Sequence, residues 1–238
     1  MTADVRIGIV GAGLMGREIA SAIQRWPALI DHPVSPRVAA VCDINPDALE
    51  WFRQLPGVDL LTTDVQELFA SDIDVVYIAV RHDLHADMYS AALDAGKDLL
   101  AEKPFGIDSA AASQIAESLA RNPDRFVRCS SEMPFFPGAQ TAIDVIRSGR
   151  LGRIVEAESH FWHSSDFDPG KPINWKRRAE FCGAAGVMND LGLHALHVPL
   201  RLGWKPRSVY ACLQDLIQER PDGNGGTAVC DTYENAHL

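Results

Sequence analysis

Three short segments contain residue types that could together perform one reaction. They are Gly-Ala-Gly-Leu-Met-Gly at 11–16, Glu-Lys-Pro at 102–104 and Asp-Leu-Gly-Leu-His at 190–194. Glycines at the first spacing can hold the pyrophosphate of a dinucleotide. The other two segments supply an ammonium, a carboxylate and an imidazole, which can move a proton while a hydride leaves. Together the three segments indicate a nicotinamide-dependent oxidoreductase.

The glycine segment has the context that dinucleotide binding requires. It lies between a strand predicted over 5–10 and a helix that begins near Met15. Gly11 would allow a tight turn, Gly13 would let the backbone approach the pyrophosphate, and Gly16 would let the helix pack close to the strand. The N–H groups and the positive dipole end at the helix N-terminus would complement the phosphates.

An acidic residue points to the type of dinucleotide. Asp43 directly follows a strand predicted over 37–42. A carboxylate at this position accepts hydrogen bonds from the ribose hydroxyls and repels a 2′-phosphate, which favours NAD over NADP. The alternative interpretation is that three glycines form an ordinary turn and that Asp43 is a surface residue.

The remaining two segments could form a catalytic group. Asp190 and His194 are four residues apart in a helix predicted over 187–202, so they would share one face. A carboxylate beside an imidazole orients it and raises its basicity. Lys103 follows a strand predicted over 98–101, where ligands bind in open α/β sheets. Its ammonium could stabilise negative charge on the reacting oxygen.

Two other interpretations of these residues remain. Lys103 could be a surface residue at a turn, and Asp190 with His194 could be a local helix pair of little energy. His197 could also join Asp190 and His194 as a third metal ligand. Because no fourth ligand is evident, we expect no metal site.

The composition excludes several classes of partner. The chain has 238 residues and a formal net charge of -10, which argues against nucleic acid as a partner. No run is long and apolar enough to span a membrane. The five cysteines are an odd number and widely spaced, which is typical of reduced thiols in a cytoplasmic protein.

The elements that would position these residues divide the chain in two. Up to about residue 128, strands alternate with helices, which predicts a doubly wound parallel sheet. Predicted strands are 5–10, 37–42, 73–80, 98–101 and 126–129, and predicted helices are 15–26, 46–54, 85–95 and 109–120. Beyond this point, a period of two over 154–163 predicts an antiparallel or mixed sheet.

We therefore expect an α/β protein with a Rossmann domain at 1–128 and a substrate-binding α/β domain at 129–238. The second domain would have an open, mixed or antiparallel sheet, with helices at 137–147 and 187–202 and strands at 208–214 and 232–238. The chain stops inside the last predicted strand, which would leave an unpaired edge. We therefore expect a C-terminally truncated piece of a longer protein.

These motifs, with the segments 85–97, 148–154 and 186–194, resemble the Gfo/Idh/MocA oxidoreductase family over essentially the whole chain. The resemblance implies an NAD(P)-dependent dehydrogenase or reductase that acts on CH–OH groups. Members typically oxidise a ring hydroxyl of a sugar or cyclitol, or reduce the corresponding ketone. The small-molecule substrate would be polyhydroxylated, and the full-length parent would be a homo-oligomer. Members are also longer, which supports truncation.

The resemblance also implies roles for individual residues. His194 would accept the proton, Asp190 would contact both substrate and histidine, and Lys103 would bind and polarise the reacting oxygen. Trp175 and Lys176 would contact substrate. The implied cofactor contacts are Gly11, Gly13, Leu14, Met15, Gly16, Asp43, Val80, His85, Glu102 and Lys103.

Two segments depart from the family pattern. Arg81-His82-Asp83 stands where many members have Thr-Pro-Asn or similar, in a segment that lines the cofactor in the family. Glu132 stands where many members have an arginine-containing segment, and its charge disfavours a phosphorylated or carboxylated substrate nearby.

Two other functions are compatible with these motifs. Some relatives retain NAD and use transient oxidation to cleave a glycoside, as a hydrolase or lyase. A non-catalytic dinucleotide sensor is the other, but it would have no need to keep Lys103, Asp190 and His194.

Overall fold

The computed structural model describes residues 3–29 and 31–238, which form two compact units that divide after Ser130. The first unit is built on a six-stranded sheet in the order β3-β2-β1-β4-β5-β6, with every neighbouring pair parallel. The strands are β1 Ala3–Val10, β2 Val34–Cys42, β3 Leu60–Thr62, β4 Val75–Ile78, β5 Asp98–Ala101 and β6 Val127–Cys129.

Apolar residues on both faces of these strands explain why the sheet is covered on both sides. One hydrophobic cluster includes Ile9, Phe52 and Tyr77, and the other includes Leu68 and Leu99. The helices of this unit are α1 Leu14–Gln24, α2 Pro46–Leu49, α3 Val65–Ala70, α4 His85–Asp94 and α5 Ser109–Arg121.

Short polar side chains start three of these helices. Asn45, Asp64 and Asp108 each accept a hydrogen bond from a backbone N–H in the first turn, of α2, α3 and α5 respectively. Such caps stabilise a helix by about 1 kcal/mol and set the residue at which it begins.

The strand order reverses between β1 and β4, and this position determines where a ligand can bind. In a doubly wound sheet, the loops on either side of the reversal leave a crevice at the carboxyl ends of the strands. The loops that begin at Gly11, Ala79 and Glu102 follow β1, β4 and β5 at this edge.

The predicted α/β class is confirmed in the first unit. The sequence analysis did not identify β3 or α3, which have three and six residues. Elements this short contain too few residues to show a period. The helix predicted over 46–54 is α2 followed by a 3₁₀ turn at Glu50–Gln54.

The second unit combines helices with two small antiparallel sheets. Its helices are α6 Pro137–Arg147, α7 Ala179–Cys182, α8 Val187–Asp190 and α9 Gly192–Arg201. Strand β7 (Cys212–Gln214) pairs with β10 (Asn235–His237), and β8 (Glu219–Pro221) pairs with β9 (Thr227–Val229). The predicted antiparallel pairing is thus present, in strands shorter than the 208–214 and 232–238 expected.

The continuous helix predicted over 187–202 is wrong. It divides at Leu191, so that α8 ends at Asp190 and α9 begins at Gly192. The backbone N–H of His194 donates to the carbonyl of Leu191, three residues back instead of four. Glycine is a weak helix former, which permits the break at this place.

The strand predicted over 154–163 is also wrong, because the structure assigns no strand to this fully described segment. Val155 and Trp162 are 83% and 89% exposed. A period of two reflects only the alternation of apolar and polar residues along the chain. A strand also needs a neighbouring strand to complete its hydrogen bonds.

Among the helices within residues 3–29 and 31–238, none combines the length and the apolar character that crossing a membrane requires.

Candidate active site

The three glycines of the turn after β1 differ in what surrounds them. Gly11 has a φ of 102°, and a Cβ there would collide with the carbonyl oxygen of Ala79. A Cβ on Gly16 would collide with the carbonyl oxygen of Gly11. Apart from its two chain neighbours, a Cβ on Gly13 would meet no described residue within 4 Å. The protein's own packing therefore requires Gly11 and Gly16, whereas the space beside Gly13 is open for a ligand.

The start of α1 adds hydrogen-bond donors to this open space. Gly13 is the N-cap residue of α1, and as a glycine it has no side chain that could accept a hydrogen bond from the first turn. The first N–H groups of a helix lack intrahelical partners and bind anions well. Leu14 and Met15 are 65% and 44% exposed beside them. The turn therefore fits the pyrophosphate of a dinucleotide.

Asp43 lies directly against the glycine turn. Its Oδ2 accepts a hydrogen bond from the N–H of Ala12 at 2.7 Å, and its Oδ1 accepts from the N–H of Asn45 at 2.8 Å. The two bonds fix a negative charge at the end of β2, beside the turn. A ligand phosphate next to Asp43 would be repelled, whereas ligand hydroxyls could donate to its remaining lone pairs.

His85 joins the turns that follow β4 and β5. It is fully buried, with Nδ1 2.8 Å from the carbonyl oxygen of Pro104 and Nε2 3.1 Å from that of Val80. Its ring stacks on Tyr89 with centroids 5.0 Å apart. Burial lowers the pKa of His85 below its ordinary value, so the imidazole is neutral at pH 7.

Glu102 holds the backbone that carries Lys103. The hydroxyl of Tyr77 donates to Glu102 Oε1 at 2.7 Å, and that of Tyr89 donates to the Glu102 carbonyl at 2.6 Å. The N–H of Lys103 donates to Glu102 Oε2 at 3.1 Å. Lys103 is half-buried, and its peptide bond to Pro104 is cis. Buried side chains thus define where the lysine leaves the sheet.

The first unit therefore gathers the expected cofactor residues at one edge of its sheet. The glycine turn, Asp43, Val80 and the Glu102-Lys103 pair all follow the carboxyl ends of neighbouring strands. His85 differs from the others, because both of its ring nitrogens face backbone carbonyls.

The second unit contains the other four expected site residues. Asp190 is buried at the end of α8, and both of its oxygens contact Lys176 Nζ, at 3.0 and 2.8 Å. The ring of His194, in α9, lies 5.0 Å from that of Phe161. Trp175 and Lys176 form the start of a 3₁₀ turn, and Lys176 Nζ lies 5.7 Å from the Trp175 ring centroid.

Sequence reasoning missed the pairing of Lys176 with Asp190. It placed both residues in the substrate site but gave them no mutual contact. Their separation of 14 residues spans a turn and two short helices, so no periodic signal relates them. The shared-helix argument for Asp190 and His194 also fails, because Leu191 separates their helices.

Across residues 3–29 and 31–238, no three His, Cys, Asp or Glu side chains form a group that could hold a metal ion. Burial, followed by the charge of Arg201, lowers the pKa of His197.

Comparison with protein families assigns both units. Residues 5–128 match the family described as oxidoreductase, NAD-binding Rossmann fold, and residues 139–237 match the GFO/IDH/MocA C-terminal domain. This chain belongs to the Gfo/Idh/MocA family. The resemblance that the sequence motifs indicated is thereby confirmed, as is the NAD-binding Rossmann fold of the first unit.

Two curated members of the Gfo/Idh/MocA family illustrate the relationship. Levoglucosan dehydrogenase of Pseudarthrobacter phenanthrenivorans is 26% identical over 236 residues, which are 96% of this chain and 59% of the relative. An uncharacterised oxidoreductase of Schizosaccharomyces pombe is 33% identical over 221 residues, 92% of this chain and 57% of the relative. The chain thus spans less than two thirds of these Gfo/Idh/MocA proteins.

Solved structures give the same fold. Levoglucosan dehydrogenase in complex with NADH and L-sorbose superimposes with a TM-score of 0.90 at 24% identity, over 99% of this chain and 62% of that one. An NAD-binding oxidoreductase from Klebsiella pneumoniae superimposes with a TM-score of 0.87 at 28% identity, over 98% and 62%.

A methyl group at Gly13 should separate binding from folding. Gly13→Ala should weaken NADH binding roughly tenfold or more, because the added Cβ occupies the space that the pyrophosphate needs. The thermal midpoint should stay unchanged, since no described residue other than its two chain neighbours lies within 4 Å of that Cβ. Fluorescence titration with NADH measures the first quantity and calorimetry the second. Gly138→Ala in α6, also in open space, is the control; equal NADH affinity in both variants would contradict the assignment.

Acidification should destabilise the first unit through His85. The folded pKa is lowered, and the unfolded imidazole titrates near pH 6.5, so the unfolded state binds more protons below that pH. The free energy of unfolding should therefore fall as the pH drops below about 6.5. Urea unfolding at several pH values, monitored by hydrogen exchange of β4 and β5, measures how the free energy of unfolding depends on pH. His85→Gln should flatten the slope and the exposed His237→Gln should keep it; the same slope in His85→Gln would exclude His85 as its source.

Proposed function

We propose that the protein oxidises a ring hydroxyl of a sugar or cyclitol, or reduces the corresponding ketone, with NAD as the hydride carrier. The observation that carries this proposal is the open space beside Gly13, in a turn whose other two glycines are required by packing. The names of the relatives support the substrate class. They include levoglucosan dehydrogenase and the trans-1,2-dihydrobenzene-1,2-diol dehydrogenase of Homo sapiens, 26% identical over 209 residues.

The residues that would hold NAD all belong to the first unit. The N–H groups at Gly13 and the start of α1 bind the pyrophosphate, and Asp43 accepts hydrogen bonds from the ribose hydroxyls. Leu14, Met15 and Val80 line the same edge of the sheet. When bound, NAD supplies the nicotinamide ring that accepts or donates the hydride. We therefore assign dinucleotide binding to residues 1–128.

Three side chains would act on the substrate. The ammonium of Lys103 donates a hydrogen bond to the reacting oxygen and stabilises the negative charge that develops there. An imidazole nitrogen of His194 accepts the hydroxyl proton in oxidation and returns it in reduction. The carboxylate of Asp190 binds a neighbouring substrate hydroxyl. We therefore assign substrate binding to residues 129–238, with Trp175 as a further contact.

The substrate is expected to be uncharged. Glu132 is exposed immediately before a 3₁₀ turn at Met133–Phe135, at the start of the second unit. Its negative charge disfavours a phosphate or carboxylate nearby, whereas a neutral polyol is unaffected.

Cofactor preference should depend on Asp43. Asp43→Asn removes the charge and leaves one of two backbone N–H groups without an acceptor, so NADH binding should weaken by roughly 10-fold or more. NADPH should bind relatively better, because its 2′-phosphate is no longer repelled. Titration of both nucleotides, followed by tryptophan quenching and nucleotide fluorescence, gives the two dissociation constants. Asp47→Asn, an exposed carboxylate in α2, is the control. An unchanged ratio of the two constants in Asp43→Asn would refute the assignment.

Turnover should depend on Lys103 and His194. Lys103→Ala and His194→Ala should each lower kcat by roughly 10²- to 10⁴-fold, the usual contribution of a positioned acid–base group. NADH affinity should change little in His194→Ala, since that residue is assigned to the reaction alone. Steady-state rates with a panel of sugars and cyclitols measure the effect. The exposed Lys205→Ala and His237→Ala are matched controls. Near-normal turnover in either test variant would exclude the role given to that residue.

A further inference from the structure

We propose that Lys176 is the counter-ion of Asp190 and acts as a positioning residue, rather than as the substrate contact that the family resemblance implies. The inference rests on the proposed function, because Asp190 is one of the residues assigned to the substrate. It differs from that assignment in giving Lys176 a role that is carried through Asp190.

The geometry of the ion pair supports this role. Lys176 Nζ lies 3.0 Å from Oδ1 and 2.8 Å from Oδ2 of Asp190. An ammonium has three protons, so two hydrogen bonds to the Asp190 carboxylate leave one N–H for any ligand. The Asp190 side chain is only 10% exposed and that of Lys176 is 38% exposed. The charge of Asp190 is thus largely removed from water, where loss of a paired charge is costly.

The backbone places Lys176 independently of the ion pair. The Lys176 N–H donates to Asn174 Oδ1 at 2.9 Å, which caps the turn Trp175–Arg177. The hydroxyl of Thr232 donates to the Lys176 carbonyl at 3.1 Å. Both the N–H and the carbonyl of Lys176 are therefore held, and the side chain reaches Asp190 from a defined position.

Two other cations near this turn, Lys171 and Arg177, are engaged with a different carboxylate. Lys171 Nζ and Arg177 Nε bond to Asp166 at 2.6 and 2.8 Å. Burial alone would raise the pKa of Asp166, but hydrogen bonds from Lys171 and Arg177 hold it well below its usual range. Lys171 and Arg177 therefore balance Asp166, whereas Lys176 is directed to Asp190.

A second ionic contact fixes the same segment to the antiparallel strands. Arg220, which is 1% exposed, donates to the Asp168 carbonyl at 2.8 Å and to Glu234 Oε1 at 3.1 Å. Arg177 Nε lies 3.6 Å from that Glu234 oxygen. The chain before and after Lys176 is thus attached to β8 and to the residue before β10, which preorganises the lysine.

The two possible roles of Lys176 predict different kinetics. A residue that only binds substrate contributes equally to ground and transition states, so its loss raises KM and leaves kcat unchanged. Asp190 is proposed to hold the hydroxyl beside the reacting one, so the loss of a residue that orients Asp190 displaces the reacting carbon and lowers kcat. Misplacement of a reacting group by about an ångström costs roughly 100-fold in rate.

The first test is the steady-state kinetics of Lys176→Met, Lys176→Arg and the exposed control Lys205→Met. Lys176→Met should lower kcat by roughly 100-fold with little change in KM. Lys176→Arg should recover most of kcat, because a guanidinium can also donate two hydrogen bonds to a carboxylate. An increase confined to KM, or equal kcat values in Lys176→Met and Lys205→Met, would overturn the proposal.

The second test needs no activity and uses the unfolding of the same chain. Urea midpoints are measured for Lys176→Met, Asp190→Asn and the double variant. Each single change should lower the midpoint, and the double change should lower it by less than the two together, because the partners interact. Additive shifts would overturn the ion pair. Failure of the proposed function would appear separately, as absent turnover in the unaltered protein.

Discussion

The close approach of the turn after β1 to its neighbouring strands is the constraint on which the first unit depends. The N–H of Gly11 donates to the Cys42 carbonyl at 2.9 Å, and the N–H of Ala79 donates to the Val10 carbonyl at 2.8 Å. The turn is therefore held between the ends of β2 and β4, where a side chain at Gly11 does not fit. This contact brings Asp43 against the turn and leaves the space at Gly13 open.

A second set of buried polar contacts fixes the backbone that carries Lys103. Tyr77 and Tyr89 hold Glu102, and the neutral ring of His85, which donates from one nitrogen at a time, lies between the carbonyls of Val80 and Pro104. The turn after β4, which carries Val80, and the Glu102-Lys103 turn after β5 are consequently parts of one network. Removal of a partner of Glu102 from this network would leave a buried polar group unsatisfied, at a cost of about 1–3 kcal/mol.

Ion pairs hold the second unit together, whereas a long parallel sheet holds the first. The strands of the second unit have three residues each, but charged side chains join the segment around Lys176 to β8 and to the residue before β10. Buried pairs of opposite charge depend strongly on geometry and lose most when one partner is removed. The same physics connects Lys176 with Asp190, so the structural contacts of this unit reach the residues proposed to act on substrate.

The amino-acid sequence by itself determined the α/β class, the glycine turn and the acidic residue after β2. These features are local, because a strand, a turn and a helix follow one another in the chain and each has its own periodicity or cap. Helix α6 was predicted with the bounds observed, Pro137–Arg147, for the same reason. Only the tertiary structure decided the break at Leu191, the absence of strand pairing over the described segment 154–163 and the contact of Lys176 with Asp190. Each of these depends on which distant residues are brought alongside, and a one-dimensional pattern contains no distance between residues that lie far apart in the chain.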